Sequence, residues 1–433
     1  MRFIQILFLA TLAFSAARGQ EQINNLEALL QYADAHSTEA KQAQLLPQVA
    51  KQDVNIQTSG LYPRINVFST ADYYPIIPSM VVPASLVGGP TDSYTPVQFG
   101  LPYVFVAGAE LSIPVVDLEK WAQLKRAKTQ YQQSQWSSKA SMERLHIQVV
   151  QQYYQLLVAK DLAKLNEENL ETVTELVRIM ADRKEAGILE PAEYNRSLNL
   201  KLNTETSGID YAKNIRQAAN ALYATLGIKD KKQADIAGSL SDFNWPLLEA
   251  RTYIGSRPAW QEAEMKIKSS ELALAESKRG GLPKLNLNSR YTYNMQSKLE
   301  SGSSGVEFET ANIGLRLDIP VFRGNYYRSL QKKNSWQLES ARLEKEKVEV
   351  TLSQQHEDWF NQYSSAFAKR AVIEQKVKNA SDNLRIARLN VKEGLMEFDE
   401  FNNIFIEYNR AKMEYLQNLA DGVLYHLLST QNF

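Results

Sequence analysis

Apolar and polar residues alternate one by one in four stretches of the chain. Ile65, Val67, Ser69, Ala71 and Tyr73 fall on one side, against Arg64, Asn66, Phe68, Thr70 and Asp72. Leu285, Leu287, Ser289, Tyr291 and Tyr293 oppose Asn286, Asn288, Arg290 and Thr292. Ala109, Leu111 and Ile113 oppose Gly108, Glu110 and Ser112, and Ile313, Leu315, Leu317 and Ile319 oppose Asn312, Gly314, Arg316 and Asp318. Period two puts one apolar face and one polar face on a strand. Each run is about the 9–11 residues that a tilted strand needs to cross a bilayer. Tyr73, Tyr74, Tyr103, Tyr291 and Tyr293 stand toward the strand ends, where interfacial aromatic girdles belong. A soluble sandwich with one wet face has the same alternation.

Between these runs the period changes to that of a helix. Leu118 to Arg183 and Asn325 to Lys392 contain no Gly and no Pro. Each predicts a helix of roughly 100 Å at 1.5 Å per residue, far beyond the usual three turns. Apolar residues recur at steps of three, four and seven: Met142, Leu145, Val149, Tyr153 and Leu156 in one, Leu352, Trp359, Tyr363 and Phe367 in the other. Gln, Lys, Glu and Ser lie between, which makes a coiled-coil-like seam with partly wet flanks. Taken alone, such helices also suit a purely structural coiled coil.

The whole pattern occurs twice. Tyr62-Pro63-Arg64-Ile65-Asn66-Val67 returns as Leu282-Pro283-Lys284-Leu285-Asn286-Leu287. Leu111-Ser112-Ile113-Pro114-Val115 returns as Leu317-Asp318-Ile319-Pro320-Val321, and Gly187-Ile188-Leu189-Glu190 as Gly394-Leu395-Met396-Glu397. Each copy runs helix, two strands, long helix, Gly break and return helix. Repeat 1 is expected at 20–228 and repeat 2 at 247–433, joined by a polar linker at 229–246. The loop between the strands is longer in the first copy. Its segment Pro75 to Pro102 is rich in Pro, Gly and apolar residues, and reads either as a surface loop or as a constriction built on Ile76, Ile77, Met80, Val81 and Val82. The second loop, Ser297 to Gly305, is Ser/Gly-rich and reads as a turn.

Residues 1–19 read as a secretory signal peptide: Arg2, then a short apolar run from Phe3 to Phe14, then small residues. Cleavage is expected after Gly19, or alternatively after Ala17. The run is too short to span a bilayer as a helix, and no later stretch reaches the roughly 20 residues required. The 49 basic and 49 acidic residues become 47 against 49 once Arg2 and Arg18 leave, a balance with no electrostatic argument for nucleic acid. The chain has no cysteine, which removes disulfides, thiolate metal sites, a cysteine nucleophile and a lipidated N-terminal cysteine. His36, His146, His356 and His426 are scattered without ligand spacing, and His356 falls on the apolar seam. There is no phosphate loop, dinucleotide fingerprint or nucleophile elbow. No catalytic residue, cofactor or metal is expected, and the chain reads as a non-enzyme.

Four strands cannot close a membrane barrel, which begins at about eight. An open sheet would leave unpaired edges in lipid, so strands that enter a membrane must be shared among protomers. Three copies in cyclic symmetry supply twelve. With the duplicated pattern, the Gly60-Leu61-Tyr62-Pro63 turn and the Leu-x-Ile-Pro-Val strand end of each copy, the chain resembles the TolC-like outer-membrane efflux protein family over its whole mature length. The resemblance implies a mainly α fold with a β-barrel portion: a long helical barrel in the periplasm, and four strands per protomer of a twelve-stranded trimeric barrel in the outer membrane. It implies a passive conduit in a tripartite export system, coupled through a periplasmic adaptor to an inner-membrane pump. In the family the glycine at each helix break marks the periplasmic tip where the adaptor docks, here Gly187 with Leu189 and Gly394 with Met396. Acids past the tip line a constriction there, which here points to Glu193, Asp399 and Glu400. Asn403 stands where a second acid is found in the family, Glu190 and Glu397 replace the more usual Ser or Thr, and Pro191 starts the return helix. The rival reading is a structural periplasmic coiled-coil protein without channel activity.

Overall fold

The computed structural model describes residues 25–229, 236, 238, 240, 244–248, 254–298 and 305–430. The signal-peptide expectation at 1–19 lies outside them, as do most of the linker and residues 299–304 of the second loop. The chain forms two compact units. One comprises Gln48–Gln133 and Glu264–Leu343, the other Met1–Pro47, Ser134–Ala263 and Glu344–Phe433. Each unit draws segments from both halves of the sequence.

The first unit contains the strands. β1 (Arg64–Tyr73), β4 (Tyr103–Val116), β5 (Lys284–Ser297) and β6 (Val306–Asp318) form one antiparallel sheet in the order β1-β4-β5-β6. Between β1 and β4, a small hairpin of β2 (Ser79–Pro83) and β3 (Tyr94–Gln98) continues the chain. β4, β5 and β6 are longer than the 9–11 residues expected. β4 runs past Pro114 because the ladder with β5 shifts register between Pro114 and Val116, so the missing N–H falls at a bulge.

Register keeps the alternation in phase across the sheet. Ile65 lies opposite Leu111, Val67 opposite Ala109, Leu287 opposite Leu315, and Leu285 opposite Leu317. Val67, Ile313 and Leu315 are 82 %, 74 % and 67 % exposed, so these apolar side chains have no cover within the chain. On the opposite face Arg290 pairs with Glu110 at 3.0 Å and stacks on the Phe68 ring at 4.7 Å. Thr292 and Thr310, cross-strand partners, share a 2.6 Å hydrogen bond. Gly108 is required on this face: a Cβ there would run into the Tyr291 carbonyl and the Phe68 ring.

The second unit is helical. α1 (Leu26–His36) starts on Asn25, whose Oδ1 accepts from the Ala28 N–H at 2.8 Å. α2 (Thr38–Ser59) follows after a break at Ser37, and α3 (Leu118–Glu185) and α4 (Pro191–Leu226) form the first long helical pair. α5 (Pro258–Arg279), α6 (Tyr326–Glu393) and α7 (Phe398–Thr430) repeat that order. α3 and α6 have 68 residues each, and both contribute to both units. Along α6 the buried residues Leu352, Trp359, Tyr363, Ala366, Ile373, Ala380, Leu384, Ala387 and Val391 keep steps of three, four and seven, the heptad seam. One core cluster gathers Leu29, Leu30, Leu145, Val149, Tyr153, Leu156, Leu222 and Leu226, joining α1, α3 and α4. Burying each large apolar side chain there stabilises by about 1.5–3 kcal/mol.

Candidate functional site

Both long helices reverse through the same turn. At the end of α3 the Gly187 N–H donates to the Lys184 carbonyl at 3.0 Å, and the Ile188 N–H to the Arg183 carbonyl at 3.0 Å. At the end of α6 the Gly394 N–H donates to Val391 at 3.2 Å and the Leu395 N–H to Asn390 at 2.8 Å. This is the Schellman arrangement, which needs a left-handed residue after the helix. Gly187 and Gly394 supply it at φ 73° and 83°. Pro191 then sits in the first turn of α4, where its missing N–H has no helical partner to lose.

A cluster of side chains holds the two reversals together. Val173, Leu176 and Met180 of α3, Leu384, Ala387 and Val391 of α6, and Phe398, Phe401 and Phe405 of α7 are buried against one another. Leu189 and Met396 pack onto this cluster and are only partly exposed. The apolar residues left in the open at the turns are instead Ile188, 72 % exposed, and Leu395, 77 % exposed.

Glu193 and Glu400 occupy equivalent places in the first turns of α4 and α7, next to the positive end of each helix dipole. Asp399 precedes Glu400. A cation brings two of the three acids together. Arg196 Nη1 donates to Asp399 Oδ2 at 2.7 Å and its Nη2 lies 4.0 Å from Glu193 Oε1. This links α4 to α7 across 203 residues of sequence. With the guanidinium 47 % exposed, the link is worth about 0–1 kcal/mol. Glu400 is exposed beside it.

Further basic groups surround the reversals. The Arg183 guanidinium lies against Gly394, and Lys184 sits 4.4 Å over the Tyr194 ring. Away from the turns, Arg388 meets Glu175 at 2.7 Å, Lys376 meets Glu414 at 2.6 Å, and Asn169 donates to Asn409 at 2.5 Å. Every helix of this end is therefore joined to another by at least one polar pair. A groove of about 810 Å³ runs between α6 and α7, lined by Val372, Lys376, Asn379, Asn383, Glu407 and Arg410 among others. Nothing in the sequence pattern marks Arg196 as part of this end. Its spacing of one turn from Glu193 was visible, but its partner Asp399 lies in the other half of the chain.

Among the described residues no three His, Asp or Glu side chains gather as a metal site, and no helix is long and apolar enough to cross a membrane. The exposed apolar face of the four-stranded sheet is one surface suited to lipid.

Similarity to known proteins agrees with this geometry. The family model "Outer membrane efflux protein" matches residues 29–228 and 251–421. The outer membrane protein TolC of Vibrio cholerae is 21 % identical over 286 residues, 64 % of this chain, and the match spans only 65 % of that relative's length. In fold the chain is similar to the CmeC outer membrane channel of Campylobacter jejuni, with TM-score 0.76, 15 % identity and coverage of 93 % and 85 % of the two chains. It is likewise similar to the outer membrane protein VceC of Vibrio cholerae, with TM-score 0.75, 15 % identity and coverage of 93 % and 95 %. The fold is thus the one shared by outer-membrane channels of the TolC type, whose members are channels and not enzymes. The family match takes in most of both halves of the chain, so the chain belongs to the outer membrane efflux protein family and resides in the outer membrane, extending into the periplasm.

Proposed function

We propose that three copies of this chain form a passive export conduit, joined through a periplasmic adaptor to an inner-membrane pump. The observation that carries this reading is the sheet. Its outer strands β1 and β6 each have one unpaired edge, and one face is apolar and uncovered. Such a sheet is stable in lipid only when its edges close. Pairing β1 of one copy with β6 of the next closes a barrel of twelve strands, with Arg290, Glu110 and the Asn and Thr residues on the water-filled side. Residues 1–19 act as the export signal, and 20–228 and 247–433 are the two repeats, joined by 229–246.

At the periplasmic end, the turns at Gly187 and Gly394, with Leu189 and Met396 packed behind them, form the surface on which the adaptor docks. Threefold symmetry turns Glu193, Asp399 and Glu400 into rings of acids that line the constriction. Such rings favour cations and repel one another when both are charged. Arg196 holds two of these acids, so the link between α4 and α7 counters the repulsion in the closed state. Opening separates the helix ends and exposes the acids to the duct. Transport then needs no chemistry from the wall; the pump supplies the gradient and the duct supplies the path.

The test is charge removal in planar-bilayer recordings. The double variant Glu193→Gln, Glu400→Gln is expected to keep its conductance but to lose most of its cation preference and its block by multivalent cations. Selectivity and block equal to wild type would remove these acids from the constriction and leave the conduit reading in place. Absence of any conductance from the wild-type protein would remove the conduit reading itself.

A further inference from the structure

At one end of the sheet the chain enters β1 and β5 and leaves β4 and β6, and the register brings these four termini together. This is the end from which α2, α3, α5 and α6 run, so in the outer membrane it faces the periplasm. Its charges are unequal. The acids in the connecting segments are already paired: Asp117 with Lys120 at 3.9 Å, Glu119 with Lys284 at 2.6 Å, Glu276 with Arg126 at 3.2 Å, and Asp318 with Arg316 at 3.0 Å. Without an acid partner are Lys125, Lys278, Arg279, Arg323 and Arg328, all exposed, with Arg323 5.8 Å over the Tyr327 ring. The opposite end has the reverse balance. It holds Asp72, Asp92, Glu307 and Glu309 against Lys298 alone among the described residues, and no Lys or Arg occurs between Arg64 and Lys120.

The same periplasmic end is apolar where it is not basic. The outward row of β6 continues past its last ladder pair as Ile319 and Val321, and Val321 and Phe322 are 90 % and 85 % exposed. Tyr62 and Trp121 are more than half exposed in the neighbouring connections. Amphipathic rings and apolar side chains next to surplus cations fit the boundary between acyl chains and headgroups.

We propose that this collar selectively binds anionic phospholipid of the periplasmic leaflet, with Arg279, Arg323 and Arg328 taking the phosphate groups and Val321, Phe322 and Trp121 seated among the acyl chains. Arginine suits the role because its fork meets two phosphate oxygens at once. The proposal rests on the conduit reading, since it places this end of the sheet at a membrane surface. Beyond that reading, it assigns a lipid class to one leaflet and explains why the two ends of the sheet differ in charge.

The experiment uses the detergent-purified, delipidated full assembly. It is incubated with equal amounts of phosphatidylglycerol and phosphatidylcholine of identical acyl chains, and the retained lipid is counted by native mass spectrometry. Phosphatidylglycerol is expected to exceed phosphatidylcholine about tenfold or more at low salt, and the excess should collapse near about 0.5 M salt. The variant Arg279→Gln, Arg323→Gln, Arg328→Gln should bring the two lipids close to parity, with oligomer mass and conductance unchanged. Equal retention by the wild type, an excess indifferent to salt, or an excess that survives in the variant overturns the proposal. If the variant does not assemble, the salt titration of the wild type decides alone. Failure of the conduit reading looks different: lipid selectivity would persist in a protein that never conducts.

Discussion

Arg257 meets Glu143 at 2.9 Å, with the two side chains only 8 % and 17 % exposed. The guanidinium also lies 5.9 Å over the Trp359 ring. Burial pushes the Glu143 carboxyl above its ordinary value although Arg257 pulls it down, and burial lowers Arg257 in turn. Desolvation therefore outweighs attraction on both partners, as in buried pairs that an apolar replacement can match. Arg257→Met, which strands the carboxylate, is expected to cost about 3–5 kcal/mol in reversible denaturation. The double variant Glu143→Leu, Arg257→Met should recover to within about 1 kcal/mol of wild type. A double variant as unstable as the single one would mean that the pair itself supplies net stability. Nearby, His356 Nε2 is buried with no hydrogen-bond partner among the described residues, and burial together with Arg257 holds the imidazole below its usual value. Sequence reading placed His356 on the seam as a packed residue, which is where it stands. It had no means of finding Arg257, because nothing in the local pattern around Arg257 shows that Glu143 of the other half lies against it.

The elements most legible in the chain are those whose period runs longest. The Gly- and Pro-free stretches expected from Leu118 and Asn325 are α3 and α6, and their limits agree to within a few residues. Their length leaves no competing period, and the heptad steps from Leu352 to Val391 repeat too often to arise from a strand. The stretch from Pro75 to Pro102, expected as a surface loop or a constriction, contains the hairpin of β2 and β3, which Pro78, Pro83 and Pro96 hide in the pattern. A two-stranded ladder consists only of edges, so Pro96 can pair with Val81 without breaking a neighbouring ladder. The division between α1 and α2 was also missed; Ser37 breaks the helix without a Gly or Pro to announce it.

The reversals offer a direct test at this scale. Gly394→Ala puts a Cβ on a left-handed residue and against Arg183, and is expected to cost about 1–2 kcal/mol. Gly394→Asn should cost distinctly less, because asparagine tolerates that conformation. The two are compared by urea midpoints at constant protein concentration. Equal midpoints for wild type, Ala and Asn would show that the left-handed turn is not what Gly394 supplies.

At the scale of the whole molecule, duplication explains why so few kinds of element suffice. Each half contributes two strands to the four-stranded sheet, a helix of 68 residues and a return helix, and both units use segments of both halves. The apolar face of the sheet was legible because period two survives in all four strands. That the strands join as β1-β4-β5-β6, with the halves meeting at β4 and β5, was not. Alternation says which face a residue takes and nothing about which strand lies beside it. The same limit applies at the helix ends, where Glu193, Asp399 and Glu400 were found by their distance past the glycines, while the cation that joins two of them was not.

The sheet of one chain has two unpaired edges and an uncovered apolar face, which is why closure by copies of the same chain is proposed. Its most direct test is the mass of the protein extracted in mild detergent from the outer-membrane fraction, measured by light scattering with the detergent subtracted. Three copies of the chain are expected. A monomer, or a dimer that offers eight strands in place of twelve, would contradict it.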